Sequence, residues 1–178
     1  MFSLHLFAYL ASWGMLRGSS FILYKDYLFH NDVVKELLNS KYDRLISLSL
    51  DDMTKEDIVL IFELRNNIRS IYYENTYRLK GEINANTYPS DTLVSKIILG
   101  TLGCCPAYDR FFIDGMKSLG VSNRNFTPRS LSSIQTFYLE NHKAIIDIKD
   151  NINSKSTVPY PTMKIMDMIF WKAGYDRF

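Results

Sequence analysis

The apolar positions Leu4, Phe7, Ala8, Leu10, Ala11 and Met15 recur at helical spacing and predict a first helix within the run Phe2 to Leu16. Gly14 and Gly18 bracket Arg17 in the patch Trp13–Ser20, WGMLRGSS, which should break or kink that helix. Helix is expected to resume over Phe21 to Phe29. Asn31 or Asp32 should cap a short helix through Val33, Val34, Leu37 and Leu38. Ser40 to Asp52 is more polar. Its one alternating stretch, Ile46 to Leu50, fits a strand or a helix equally.

Thr54 with Asp57 resembles a capping box. Ile58, Ile61, Phe62, Ile68 and Tyr72 then recur with a period of about 3.6, predicting a long amphipathic helix over 54–79. Gly81 to Pro89 reads as a loop. Ser90 or Asp91 caps a helix to about Leu102, and a second helix runs from Asp109 to Leu119, stopped by Gly120. Thr127 with Pro128 after it marks another start, with Ala144 to Ile148 extending that helix or opening a new one. After a polar loop at Asn151–Pro159, Pro161 opens the last helix and Gly174 ends it. The expectation is an all-α fold: one compact domain over residues 1–178, with about eight helices.

Composition narrows this picture only in places. The chain has 178 residues, enough for a core without metal or disulfide. With 21 basic against 19 acidic side chains, no nucleic-acid or membrane partner is announced by charge alone. Aromatics are plentiful, at 12 Tyr, 11 Phe and 2 Trp, and beyond packing a core they can stack on bases. Cys104 and Cys105 are the only cysteines. Adjacent thiols suit neither a disulfide nor a zinc site, so a reducing, cytoplasmic setting is expected, with no metal and no cofactor. The first apolar run is too short to span a membrane and lacks a basic flank before it, so it is expected in the core and no membrane partner is expected. Its abrupt start suggests further chain upstream.

Phosphate-binding loops, dinucleotide glycine fingerprints, zinc-protease motifs and nucleophile elbows are all missing from the sequence. His5, His30 and His142 are scattered and read as structural. Two patches keep two meanings. WGMLRGSS is a helix break or an anion-binding turn. Lys164 and Asp167, three apart on the last helix, read first as a simple ion pair. The stretch Ser90–Leu119, SDTLVSKIILGTLGCCPAYDRFFIDGMKSL, stands out. Pro106 forces a break at Cys105, and Asp109 stands at the start of the next helix, either as an ordinary cap or as a functional carboxylate.

The segment LVSKIILGTLGCCPAYDRFFIDGMKSLG, with the TPRSL helix start after it, resembles the back half of the helix–hairpin–helix DNA glycosylase superfamily. Pro106, Ala107, Tyr108 and Asp109 match that family's P-x-x-D loop. Leu119 and Gly120 match the end of its aspartate-led helix, and Thr127 and Pro128 match the start of its next one. The resemblance covers residues 91–140. It implies hydrolysis of an N-glycosidic bond, with a flipped base in a pocket and Asp109 stabilising the oxocarbenium-like sugar or orienting water. Stacking would fall to Trp13, Tyr108 or Trp171, and phosphate contacts to Arg17, Lys25, Lys96 or Arg110. The family's glycine hairpin is absent: the chain reads NANTYPSDT before Leu93. Lys80 and Lys96 are not at the family's nucleophile position, which argues against lyase chemistry. The expected partner is DNA, with the protein active or degenerate. The alternative is a non-catalytic helical component of a bacterial stress or defence system, with a protein partner.

Overall fold

The computed structural model describes residues 1–18, 20–80 and 88–177, with residues 78–80 by backbone alone. Eight α-helices run through them: α1 (Phe2–Ser12), α2 (Asn31–Leu37), α3 (Lys55–Lys80), α4 (Asp91–Thr101), α5 (Arg110–Ser118), α6 (Pro128–Glu140), α7 (His142–Asn153) and α8 (Thr162–Tyr175). Two short 3-10 turns, Tyr27–His30 and Ser40–Leu45, complete the order, and no strand occurs among the described residues. No helix there is long and apolar enough to cross a membrane.

Most of the local start signals are obeyed, whereas Asn31 and Asp32 do not cap α2: both lie inside it, and His30 at its cap position makes no side-chain capping bond. Ser90 accepts the Leu93 N–H, Asp109 accepts the Phe112 N–H, and Thr127 accepts the Ser130 N–H with Pro128 behind it. Thr54 and Asp57 form a reciprocal box: Asp57 Oδ2 accepts the Thr54 N–H at 2.9 Å, and Thr54 Oγ1 accepts the Asp57 N–H at 3.2 Å. The first helix stops at Ser12, because Gly14 turns into the left-handed region at φ +69. Phe21 to Phe29 is not the expected helix. Tyr24 sits at φ +65, and Asp26 caps only the 3-10 turn by accepting the Phe29 N–H. Ile46 to Leu50 is neither strand nor helix, with Ser47 at φ +54 and its N–H donating to Leu102 O at 2.6 Å. The start Thr127–Pro128 and the stretch Ala144–Ile148 fall on separate helices, α6 and α7. Ser19 and residues 81–87 of the expected loop lie outside the described residues, as does the side chain of Lys80.

Gly174 does not end the last helix. It lies inside α8, and a Cβ built on it would stand 1.9 Å from Phe111 O; a Cβ on Gly115 of α5 would stand 1.7 Å from Phe170 O. The two helices thus touch backbone to backbone, sealed by the edge-on pair Phe112–Phe170 at 5.4 Å. One apolar core, from Leu6 through Ile61, Ile97 and Phe112 to Phe170, joins the helices. Gly100 admits the Tyr9 ring against α4, and the Tyr9 hydroxyl donates to Lys96 O at 3.2 Å. That contact brings the end of α1 beside α4.

Candidate functional site

A cleft of about 1180 Å³ opens where the end of α1, the middle of α4, the start of α5, and helices α7 and α8 meet. Most of its wall is apolar, from Phe111, Leu119, Ile148, Ile152, Met168 and Trp171. Its charged groups come from sequence-distant elements. Trp13 and Arg17 lie just past α1, Lys96 faces inward from α4, Asp109 opens α5, and Lys164 and Asp167 lie one turn apart on α8.

The loop 103–109 is tied down on both sides. The Tyr108 N–H donates to Ser95 Oγ at 2.9 Å, and Thr92 Oγ1 donates to Tyr108 O at 2.8 Å. On the other side the Ala107 N–H donates to Asp167 Oδ1 at 2.9 Å. Asp109 is therefore held between α4 and α8. Its Oδ1 accepts the Phe112 N–H at 3.1 Å, and its Oδ2 lies 3.7 Å from Lys96 Nζ. Asp109 thus both caps α5 and lines the cleft.

Two lysines share the Trp13 indole. Lys96 Nζ lies 5.1 Å and Lys164 Nζ 4.4 Å from the ring centre. Lys96 Nζ also donates to Trp13 O at 3.5 Å. Lys164 pairs with Asp167 Oδ2 at 2.8 Å. Burial pushes the Lys96 ammonium below its ordinary range, against the pull of Asp109. Burial likewise pushes the Asp167 carboxyl up, partly countered by Lys164 and the Ala107 N–H. A desolvated amine and a desolvated carboxyl within one cleft mark a site where charge is held out of water.

Five of the sequence-derived candidates meet here: Asp109, Lys96, Arg17, Trp13 and Trp171. Three do not. Tyr108 is a correction: its ring is buried against Phe126, with centroids 4.8 Å apart, and its hydroxyl shares a hydrogen bond with Ser130 Oγ, so it has no free face for a base. Lys25 lies over the Phe29 ring in a separate hollow with Asp26 and Asp32. Arg110, first residue of α5, turns outward and sits 3.7 Å from Asp114. Lys164 and Asp167 form the ion pair read from their spacing, but that spacing alone does not place them in the site. Their periodicity with Met168, Trp171 and Lys172 is the available signal: one α8 stripe faces the cleft.

Cys104 and Cys105 are both free and fully buried, and burial pushes the Cys104 thiol up to about 12. Neither is a nucleophile at neutral pH. No group of three or more His, Cys, Asp or Glu that could hold a metal occurs among the described residues. Comparison with family models, curated proteins and solved structures gives no match.

Proposed function

We propose that this is a nucleic-acid-associated protein, and that the cleft hydrolyses an N-glycosidic bond with Asp109 as its catalytic carboxylate. The observation that carries this reading is the position of Asp109: a carboxylate in the wall of a cleft, flanked by Lys96, Arg17 and Trp13 rather than sealed in the core. The large apolar wall suits a flipped base, and the Trp171 and Trp13 rings suit stacking. As the C1′–N bond breaks, its electron pair leaves with the base and positive charge grows on the sugar. The Asp109 carboxylate opposes that charge and takes a proton from the water adding to C1′. The departing nitrogen takes up a proton, so one water is split across the bond. Asp167 does not face this step directly. Both its oxygens are engaged, by the Ala107 N–H and by Lys164, and it fixes the loop that presents Asp109.

The second reading, a protein-interaction component of a bacterial stress or defence system, draws on the exposed Phe2 and Leu4 of α1 and on Leu28. The convergent polar groups of the cleft favour the first. Release of free base from duplexes carrying damaged bases tests it. Wild-type protein should release one such base. Asp109→Asn should lower the rate on the order of a hundredfold or more while keeping DNA affinity. Equal rates for the two proteins, or no release from any substrate in a broad panel, would remove the catalytic claim.

A further inference from the structure

Lys172 and Asp176, at the end of α8, neutralise each other. That leaves Arg17, Lys96 and Lys164 against Asp109 and Asp167 among the other charged groups lining the cleft. Arg17 is the odd cation. No carboxylate pairs with it among the described residues. Its guanidinium lies back over Gly14, where a Cβ would come within 3.0 Å of Nε. From there its charge bears on Lys96 and disfavours the ammonium. Lys164 pairs with Asp167 at 2.8 Å and Lys96 faces Asp109 at 3.7 Å, which leaves one net positive charge, carried by Arg17. An anionic group beside Arg17 would balance it. A single carboxylate would be satisfied by one guanidinium fork, whereas a phosphate offers oxygens for three cationic partners.

We propose that Arg17, Lys96 and Lys164, which line one cleft with Trp13, form a phosphate subsite, and that the ligand is a nucleotide phosphate whose base or sugar lies along the wall of Trp171, Met168 and Ile152. The phosphate belongs to a free nucleotide or to a nucleic-acid strand. The subsite takes its ligand class from the nucleic-acid reading but stands or falls on a separate measurement.

Calorimetric titration of the full chain at low salt tests it, with inorganic phosphate, adenosine, adenosine 5′-monophosphate and a short single-stranded oligonucleotide as probes. The monophosphate should bind about tenfold or more tightly than adenosine, an advantage of the size expected for a charge-assisted contact. Arg17→Ala should erase that advantage, and Arg129→Ala, on exposed α6 surface, should keep it. Arg17 is exposed and holds no other element in place, so the variant should fold. Arg17-dependent binding of the oligonucleotide alone supports the subsite and assigns the phosphate to the polymer. Arg17-dependent binding of the monophosphate alone supports the subsite and removes the nucleic-acid reading. Measurable but equal affinity for adenosine and its monophosphate, binding of any of the three phosphate-bearing probes that ignores Arg17, or no binding of any probe overturns the proposal. Phosphate binding with no base release leaves the subsite and removes only the hydrolase.

Discussion

Adding one methyl group at Gly115 should cost this protein more than most single changes could. The Cβ would stand 1.7 Å from Phe170 O, and atoms of that kind do not approach within 3.0 Å. The obstacle is a backbone carbonyl inside α8, which cannot rotate away as a side chain would. Helices α5 and α8 must part by more than an ångström, which opens the Phe112–Phe170 and Phe111–Trp171 contacts at 5.4 Å each. Overpacking of this sort costs about 1–3 kcal/mol where neighbours can shift. Against a fixed carbonyl we take the upper end, roughly 3 kcal/mol. For a chain of 178 residues this lowers the melting temperature by roughly 6–12 °C. Gly174→Ala should behave alike, its Cβ falling 1.9 Å from Phe111 O. Gly120→Ala is the control. It meets nothing within 4 Å, yet its φ of +75 should still cost about 1–2 kcal/mol. Thermal melts monitored by circular dichroism give all three values. If Gly115→Ala and Gly174→Ala melt no lower than Gly120→Ala, the backbone contact between α5 and α8 is not what joins them.

Two further expectations concern pH. His30 is buried, its Nδ1 hydrogen-bonded to the Tyr72 hydroxyl at 2.5 Å, and burial brings its pKa down to about 4 against the opposing pull of Asp26. The unfolded chain takes up this proton near 6.5, so the stability tied to neutral His30 is full above that pH and drains away as pH falls to about 4, by roughly 3 kcal/mol in all. His30→Gln should flatten that part of the stability profile in urea titrations, and an unchanged profile would refute the assignment. Asp167 has the opposite sense. Its raised carboxyl pKa means that its contribution is full below the ordinary carboxylate range and lost as pH rises through the folded value. Asp167→Asn keeps an acceptor for the Ala107 N–H and removes the buried charge. It should melt at or above wild type at pH 8, with the gap closing at pH 4. Asp167→Ala, which strands that N–H, should lose about 1–3 kcal/mol. A larger loss for Asn at pH 8 than at pH 4 would contradict the sign.

Helix starts are readable from sequence because a cap is chemistry between residues three apart. Ser90, Asp109 and Thr127 each satisfy an N–H within their own first turn. Helix interiors and stops depend on contacts the sequence does not show. Gly174 looks like a terminator, yet its missing side chain serves the approach of α5. Phe21–Phe29 carries helical spacing, but Phe21 and Phe29 instead gather on Tyr72 of α3, with ring centres 5.6 and 5.3 Å away. The site shows the same division. Asp109 is visible through its loop. Lys164 and Asp167 are visible only as an ion pair, because α8 reaches Asp109 through the fold. Tyr108 neighbours Asp109 in sequence but points the other way, into the core with Phe112 and Phe126.

The most direct test is whether nucleic acid enters the cleft that holds both tryptophans. Intrinsic fluorescence should be recorded while a single-stranded oligonucleotide is added to wild type, Trp13→Phe and Trp171→Phe across a salt series. Each remaining indole should respond at the same oligonucleotide concentration, with affinity falling steeply as salt rises. Oligonucleotide binding that leaves both indoles unchanged, or no binding at low salt, would contradict a nucleic-acid site in this cleft.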